Sequence, residues 1–315
     1  MQAGLAHDER QALPRMVSRG WTAAALVAAA AVAAPPKTTA ELLAQSPASD
    51  WRALEAQDTL YMELPSGRVV IELAPHFAPA SAANIRTLAK AGYFDGLAIV
   101  RAQDNYVVQW GDPDEKSPKS LGEARKTIPP EFTRAAKGVE FVALPDRDTY
   151  APQTGFSAGF PAARDPKSGR VWLVHCYAMV GVGRDNAEDS GNGAELYAII
   201  GNAPRLLDRN ITVVGRVVQG IELLSPLKRG TGPLGFYEKA EERTPIREVK
   251  LASELPPDKR LPLEALRTDS KTFRTLIEMR RFRKDDWYKV PAGHVDVCNV
   301  PLPVRLRKPG SDPIS

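Results

Sequence analysis

The sequence predicts a mainly β fold, and three observations carry that expectation. Ala98–Arg101 and Tyr106–Gln109 are two short apolar runs joined by the polar turn Gln103-Asp104-Asn105, the pattern of a β-hairpin. Leu60–Leu73 reads as strand, Ser66-Gly67 turn, strand. Further strand candidates follow at Val139–Leu144, Val171–Val182, Leu196–Ile200, Ile211–Val218 and Pro245–Ala252. The chain of 315 residues, 43% hydrophobic, is long enough for one large core with an appendage.

The elements fall in order as follows. Residues 16–34 look like an export signal: Met16-Val17-Ser18-Arg19-Gly20 is a short basic start, Thr22–Ala34 is small and apolar, and Ala31-Val32-Ala33 offers cleavage-site residues. The run falls short of the roughly 20 residues a membrane span needs. An uncleaved buried helix is the bland alternative, and residues 1–15 read as an over-long start. Residues 35–57 form a lead-in with a helical turn near Ala40–Ala44. The main domain is assigned to 58–253. Within it Pro79 opens a helix, a favoured place for proline. Asp112–Ile128 is loop-like. Residues 134–169 form a long insertion punctuated by Gly, Pro and Asp, with one strand at Val139–Leu144. Gly183–Gly193 is polar. Past Ser253 a C-terminal extension, 254–315, begins at the linker Leu255-Pro256-Pro257. Asp269 or Ser270 caps a helix running to about Asp286, with Phe273, Leu276 and Ile277 as an apolar stripe that docks on the main domain. Val295–Val304 is a final extended segment.

Strand side chains alternate between faces, so the hairpin can bring a guanidinium, an aromatic ring and a carboxamide onto one surface. The ordered motifs around it resemble the cyclophilin-type peptidyl-prolyl isomerases. Tyr93-Phe94-Asp95-Gly96 through Arg101, then Tyr106 through Asp112, resemble that family's Y-[YF]-D-G-x-x-F-H-R-V-I-x-x-F-M-x-Q-G-G-D. Ala78–Leu88 resembles A-P-x-[TS]-V-x-N-F-x-x-L, Ile128–Phe132 resembles I-x-x-E-F, and Leu207–Gly220 resembles L-D-G-x-x-x-V-F-G-x-V-x-x-G. The likeness spans about residues 58–253.

The resemblance implies a closed antiparallel β-barrel capped by helices. It implies isomerisation of Xaa-Pro bonds, with Arg101 as the electrostatic element and Gln109 bracing it or binding substrate backbone. Tyr106 stands for a pocket Phe, Val107 for a pocket Met, Glu195 for a substrate-binding Gln, Tyr197 for a second pocket Phe and Leu206 for a pocket Trp or Phe. Ile211 replaces a pocket His, and Ile99-Val100 replace the Phe-His before the arginine. Glu195 either pairs with Arg101 or faces solvent. No cofactor and no metal is expected, and the expected partners are proline-containing polypeptides in the periplasm. The altered pocket keeps a second class open, a peptide-holding module with weak turnover.

Other chemistry fits less well. His7, His76, His175 and His294 show no metal-ligand spacing. Cys176 beside His175 would face away from it in a strand. Cys176 and Cys298 are far apart. Cys176 is read as a small buried hydrophobe, with a Cys176–Cys298 bridge open in an oxidising compartment. Asp112-Pro113-Asp114-Glu115 lacks the Ca²⁺-loop pattern. Residues 225–315 hold 19 Lys and Arg against 13 Asp and Glu, notably Arg280-Arg281-Phe282-Arg283-Lys284. A solvated helix face accounts for that run, with an interaction role for the basic helix as a third reading. Nucleic-acid binding would need a broader basic field on a recognised module.

Overall fold

A computed structural model describes residues 38–307 apart from Glu115. The expected export segment lies outside the described residues. Along the chain the elements are α1 (Thr39–Ala44), β1 (Trp51–Ala53), β2 (Thr59–Leu64), β3 (Gly67–Leu73), α2 (Pro79–Lys90), β4 (Ala98–Ala102) and β5 (Val107–Gly111). Next come β6 (Arg134–Ala135), β7 (Val142–Ala143), β8 (Gln153–Ser157), β9 (Phe160–Asp165), β10 (Arg170–Leu173), β11 (Met179–Val182), β12 (Leu196–Ile199) and β13 (Val213–Gln219). The last described elements are α3 (Ile221–Leu224), β14 (Thr244–Pro245), β15 (Glu248–Leu251), β16 (Leu263–Leu266), α4 (Lys271–Arg281) and β17 (Val304–Leu306).

Nine strands form the main antiparallel sheet, in the order β14-β4-β5-β12-β11-β13-β3-β2-β15. Its edge strands β14 and β15 are neighbours in the chain, with only Ile246 and Arg247 between them. Ile246 exchanges backbone bonds with the segment leading into β4, at Leu97 and Gly96, and Arg247 donates to Glu63 on β2. The covalent chain thus carries the curled sheet from one edge to the other, which leaves little free edge to pair with other chains. Inside sits the first core, with Met62, Ile71, Val108, Trp110, Val180, Leu196 and Val214, and α2 delivers Ile85 and Leu88 to it. Pro79 occupies the first turn of α2.

The alternate residues of the same strands feed a second core. Val107, Met179, Tyr197, Ile199 and Val213 pack there with Phe156, Phe160 and Trp172 of the insertion and with Phe273, Leu276 and Ile277 of α4. The sheet is therefore buried on both faces at β5, β12, β11 and β13. This explains why those strands read as continuous apolar runs.

The structure corrects several expectations. The insertion is more than a loop with one strand: β6-β10-β9-β8-β7 make a five-stranded sheet. Strands β8 and β9 mix β-formers (Thr154, Phe156, Phe160) with Gly155, Pro161, Ala162 and Ala163, which disfavour strands, and burial against α4 helps to decide them. Phe156 meets Phe273 edge to face at 4.9 Å between ring centroids. Val171–Val182 is two strands in different sheets. The chain leaves β10, turns at His175–Ala178, with Ala178 in the left-handed region at φ 67°, and enters the barrel at β11. The lead-in and the extension are joined, since β1 pairs with β16, and β16 with β17. Ser270 caps α4 as expected, its hydroxyl accepting from Phe273 N–H at 3.1 Å. The helix stops at Arg281 instead of Asp286, because Asp285 accepts from Trp287 and Tyr288 N–H and turns the chain. Cys176 and Cys298 are joined as a disulfide, with Cα atoms 5.0 Å apart, tying the extension to the start of β11.

Candidate active site

The site begins with register. In β4 and β5 Arg101 pairs with Gln109, after a bulge between Ile99 and Arg101. In β5 and β12 Gln109 pairs with Tyr197, and in β12 and β11 Tyr197 pairs with Gly181. Directly opposed residues share a face. Arg101, Gln109 and Tyr197 thus form a row across the outside of the barrel. Gly181 completes the row because it has no side chain: a Cβ there would lie 2.2 Å from the Tyr197 hydroxyl.

The Arg101 fork is held at several points. Its Nε donates to the Leu234 carbonyl at 2.7 Å and its Nη1 to Gln109 Oε1 at 3.1 Å. Nη2 donates to Gln103 Oε1. The rings of Tyr106 and Phe236 flank the guanidinium, with centroids 5.6 and 5.3 Å from Cζ. Half-burial shifts its pKa downward from the ordinary arginine value, with a small opposing effect from Tyr106. The bonds named engage three of the five guanidinium N–H donors.

Gln109 carries the row onward. Its carboxamide oxygen faces Arg101, and its Nε2 donates to Glu195 Oε2 at 2.7 Å. Glu195 itself is exposed. It therefore pairs with Gln109, an outcome between the two expected for it. Gly111 and Gly183 make room for it, since a Cβ on either would meet the Glu195 side chain.

Behind this row lies a buried polar chain, of which the sequence motifs contained only Asp208. The Tyr197 hydroxyl meets His175 Nε2 at 3.1 Å, and His175 Nδ1 meets Asp208 Oδ1 at 2.9 Å. Asp208 Oδ1 also accepts His175 N–H. Arg205 Nε donates to Asp208 Oδ2 at 2.7 Å, and both Arg205 Nη atoms donate to the Asp148 carboxylate. His175 is fully buried. Burial pushes the Tyr197 hydroxyl far above the ordinary tyrosine pKa, with Tyr106 and Asp208 adding to it, so it stays protonated. The chain runs from the barrel face into the insertion, where Asp148 lies.

The seven residues singled out by sequence do not form one open pocket. Arg101, Tyr106, Gln109 and Glu195 form one connected group. Val107 and Tyr197 share the outer face but are buried in the second core, at 2% and 5% exposure. Leu206 is 80% exposed on a short turn and makes no enclosing wall. Ile211 packs against the second core. Sequence reasoning missed Gln103, Leu234 and Phe236, which surround Arg101. Leu234 and Phe236 lie over 130 positions downstream and reach it through a loop with no motif.

A barrel of this topology, with an arginine and a glutamine paired on its outer face, defines a cyclophilin-like domain. The family model for cyclophilin-type peptidyl-prolyl cis-trans isomerases matches residues 59–253. The chain belongs to the cyclophilin-type peptidyl-prolyl cis-trans isomerase family. It is similar to cyclophilin AquaCyp293 from Hirschia baltica, with a TM-score of 0.63 and 25% identity over 87% of this chain and 100% of that one. A probable peptidyl-prolyl cis-trans isomerase of Brucella suis is 26% identical over 179 residues, covering 57% of this chain and 76% of the relative. Peptidyl-prolyl cis-trans isomerase-like 1 of Bos taurus is 24% identical over 215 residues, covering 68% and 99%.

Proposed function

We propose that the protein isomerises Xaa-Pro bonds of exported polypeptides, with Arg101 as the catalytic group. The observation that carries this reading is the row Arg101–Gln109–Tyr197 on the outer barrel face. Rotation about a peptide bond faces a barrier of about 18–20 kcal/mol, set by amide resonance. In the twisted state the proline nitrogen becomes pyramidal and gains a lone pair. A guanidinium aimed at that nitrogen stabilises the twisted state over the planar one. Gln109 and Gln103 fix the fork, and Tyr106 and Phe236 flank it with apolar surface for the proline ring. Gln109 and Glu195 would hold the neighbouring peptide backbone. No bond is made or broken, so no nucleophile is required.

The apolar segment at 22–34 supports export to the periplasm, and so does the Cys176–Cys298 bond, since disulfides persist in oxidising compartments. Among the described residues no helix is long and apolar enough to cross a membrane.

A second reading is favoured by one observation. Val107 and Tyr197, the expected pocket walls, are packed into the second core. A protein with that closed wall would hold peptides with weak turnover. The two readings separate in a proline-isomerisation assay on a set of Xaa-Pro peptides. Arg101→Ala should lower kcat/KM by about 10²-fold or more, as loss of one transition-state donor does. Arg101→Lys should restore little, because the planar fork is lost. Equal rates for wild type and Arg101→Ala would refute the assignment.

A further inference from the structure

We propose that the loop Phe282–Val290, which follows α4, is a peripheral docking element that seats on an anionic phospholipid surface. All nine of its residues are exposed. Trp287 is 82% and Val290 83% exposed, with Phe282 at 52% and Tyr288 at 43%. Single exposed apolar residues are ordinary, but four within nine positions of one loop are a concentration that calls for an apolar phase.

The loop is closed by its own hydrogen bonds. Asp285 Oδ1 accepts from Trp287 and Tyr288 N–H at 2.9 and 2.8 Å, and Asp285 N–H donates to the Tyr288 carbonyl at 3.0 Å. Arg283 pairs with Asp285 at 2.9 Å and lies over the Tyr288 ring, 3.9 Å from its centroid. The helix behind it is anchored by Phe273, Leu276 and Ile277 in the second core. A turn closed by its own hydrogen bonds thus presents Trp287 and Val290 outward.

Charge selects the occupant. The loop holds Arg283, Lys284 and Lys289 against Asp285 and Asp286, and Arg280 at the end of α4 adds a further cation, while Arg281 is taken up by Asp146 and Glu278. Lys284 and Lys289 bracket the tip. Trp and Tyr rings at headgroup depth with Lys and Arg around them are the composition of a membrane-interface anchor. Side chains this exposed stand off the surface instead of lining a groove. A peptide ligand would need a groove, whereas a deformable lipid headgroup layer does not. The element lies on the membrane without spanning it.

The test uses the full chain in a Trp21→Phe background. Trp51, Trp110 and Trp172 are at most 2% exposed, so a fluorescence change on vesicle addition reports on Trp287. Vesicles of phosphatidylcholine with phosphatidylglycerol should shift the emission to the blue, and pure phosphatidylcholine should do so much less. Co-sedimentation with the mixed vesicles should fall roughly tenfold in the Trp287→Ser/Val290→Ser variant and weaken with added salt. Tyr150→Ser, at an exposed ring elsewhere, should bind as wild type. The apolar segment at 22–34 is present in every variant, so the differences belong to the loop. Equal sedimentation of wild type and the double variant overturns the proposal. Binding to a soluble polyanion as tight as to vesicles, with no blue shift, also overturns it, in favour of an acidic macromolecular partner.

Discussion

Replacing Arg205 by Met should be among the most damaging single changes to the fold, and the structure indicates by how much. Arg205 is 5% exposed and donates to two carboxylates that are themselves buried, those of Asp148 and Asp208. Methionine matches much of its length but supplies no charge. Both carboxylates then stay in a poorly hydrated site without their cation. Removing one partner of a buried ion pair typically costs about 3–5 kcal/mol. The expected result is a loss of that size in urea unfolding at neutral pH, read as a lower midpoint with an unchanged slope. Adding Asp148→Leu should recover part of the loss, since it deletes one stranded charge.

The pH dependence gives an independent check. Burial pushes the Asp148 carboxyl up, but Arg205 and the N–H groups of Tyr150 and Ala151 outweigh it, and its pKa lies below the ordinary carboxylate value. A depressed native pKa gives stability that is complete above the unfolded value of about 3.9 and is lost as pH falls through the native one. Without Arg205 the buried carboxylate prefers its neutral form. The gap between wild type and Arg205→Met should therefore narrow as pH drops below about 4. A destabilisation under about 1 kcal/mol, or a gap that widens in acid, would refute the argument that this chain of charges holds the insertion to the barrel.

Other consequences can be measured directly. Phe273→Ala empties a fully buried site against Phe156 and should cost about 3–5 kcal/mol in chemical unfolding, while a value near zero would mean that α4 contributes no packing. Replacing Cys176 and Cys298 by Ser opens a loop with a sequence separation of 122, worth up to about 5 kcal/mol by chain entropy, and calorimetry should show a clearly lower Tm. Glu195→Gln removes the charge that Gln109 faces. With peptides carrying Lys before the proline, KM should rise several-fold while uncharged peptides change little, and a parallel change for both sets would rule out a charge-selecting role.

Much of the barrel was legible because its signals are local. Ser66-Gly67 marks a hairpin, Pro79 opens a helix, and the alternation through Val107, Val108, Gln109 and Trp110 sorts residues onto two faces. The Arg101–Gln109 pair needs only a short turn and a hairpin register, so eight positions of sequence sufficed to place it. The Ser270 cap and the stripe of Phe273, Leu276 and Ile277 were readable for the same reason. Each is a relation between neighbours on one helix.

What tertiary structure alone decided depends on distant segments. The break at His175–Ala178 interrupts an apolar run with no Gly or Pro to mark it, and it exists because the chain must pass between two sheets. The strands Gln153–Ser157 and Phe160–Asp165 are interrupted by Gly155, Pro161, Ala162 and Ala163, so their pattern is weak in sequence, and burial between the barrel face and α4 adds what propensity lacks. Tyr197 was legible only as an aromatic standing for a pocket Phe, and whether it lined an open pocket or a second core depended on an insertion and an extension folding over it. The Asp148–Arg205–Asp208–His175–Tyr197 chain joins residues from four separate segments. A hydrogen bond depends on distance in space, and the pattern of neighbours along the chain holds no record of that distance.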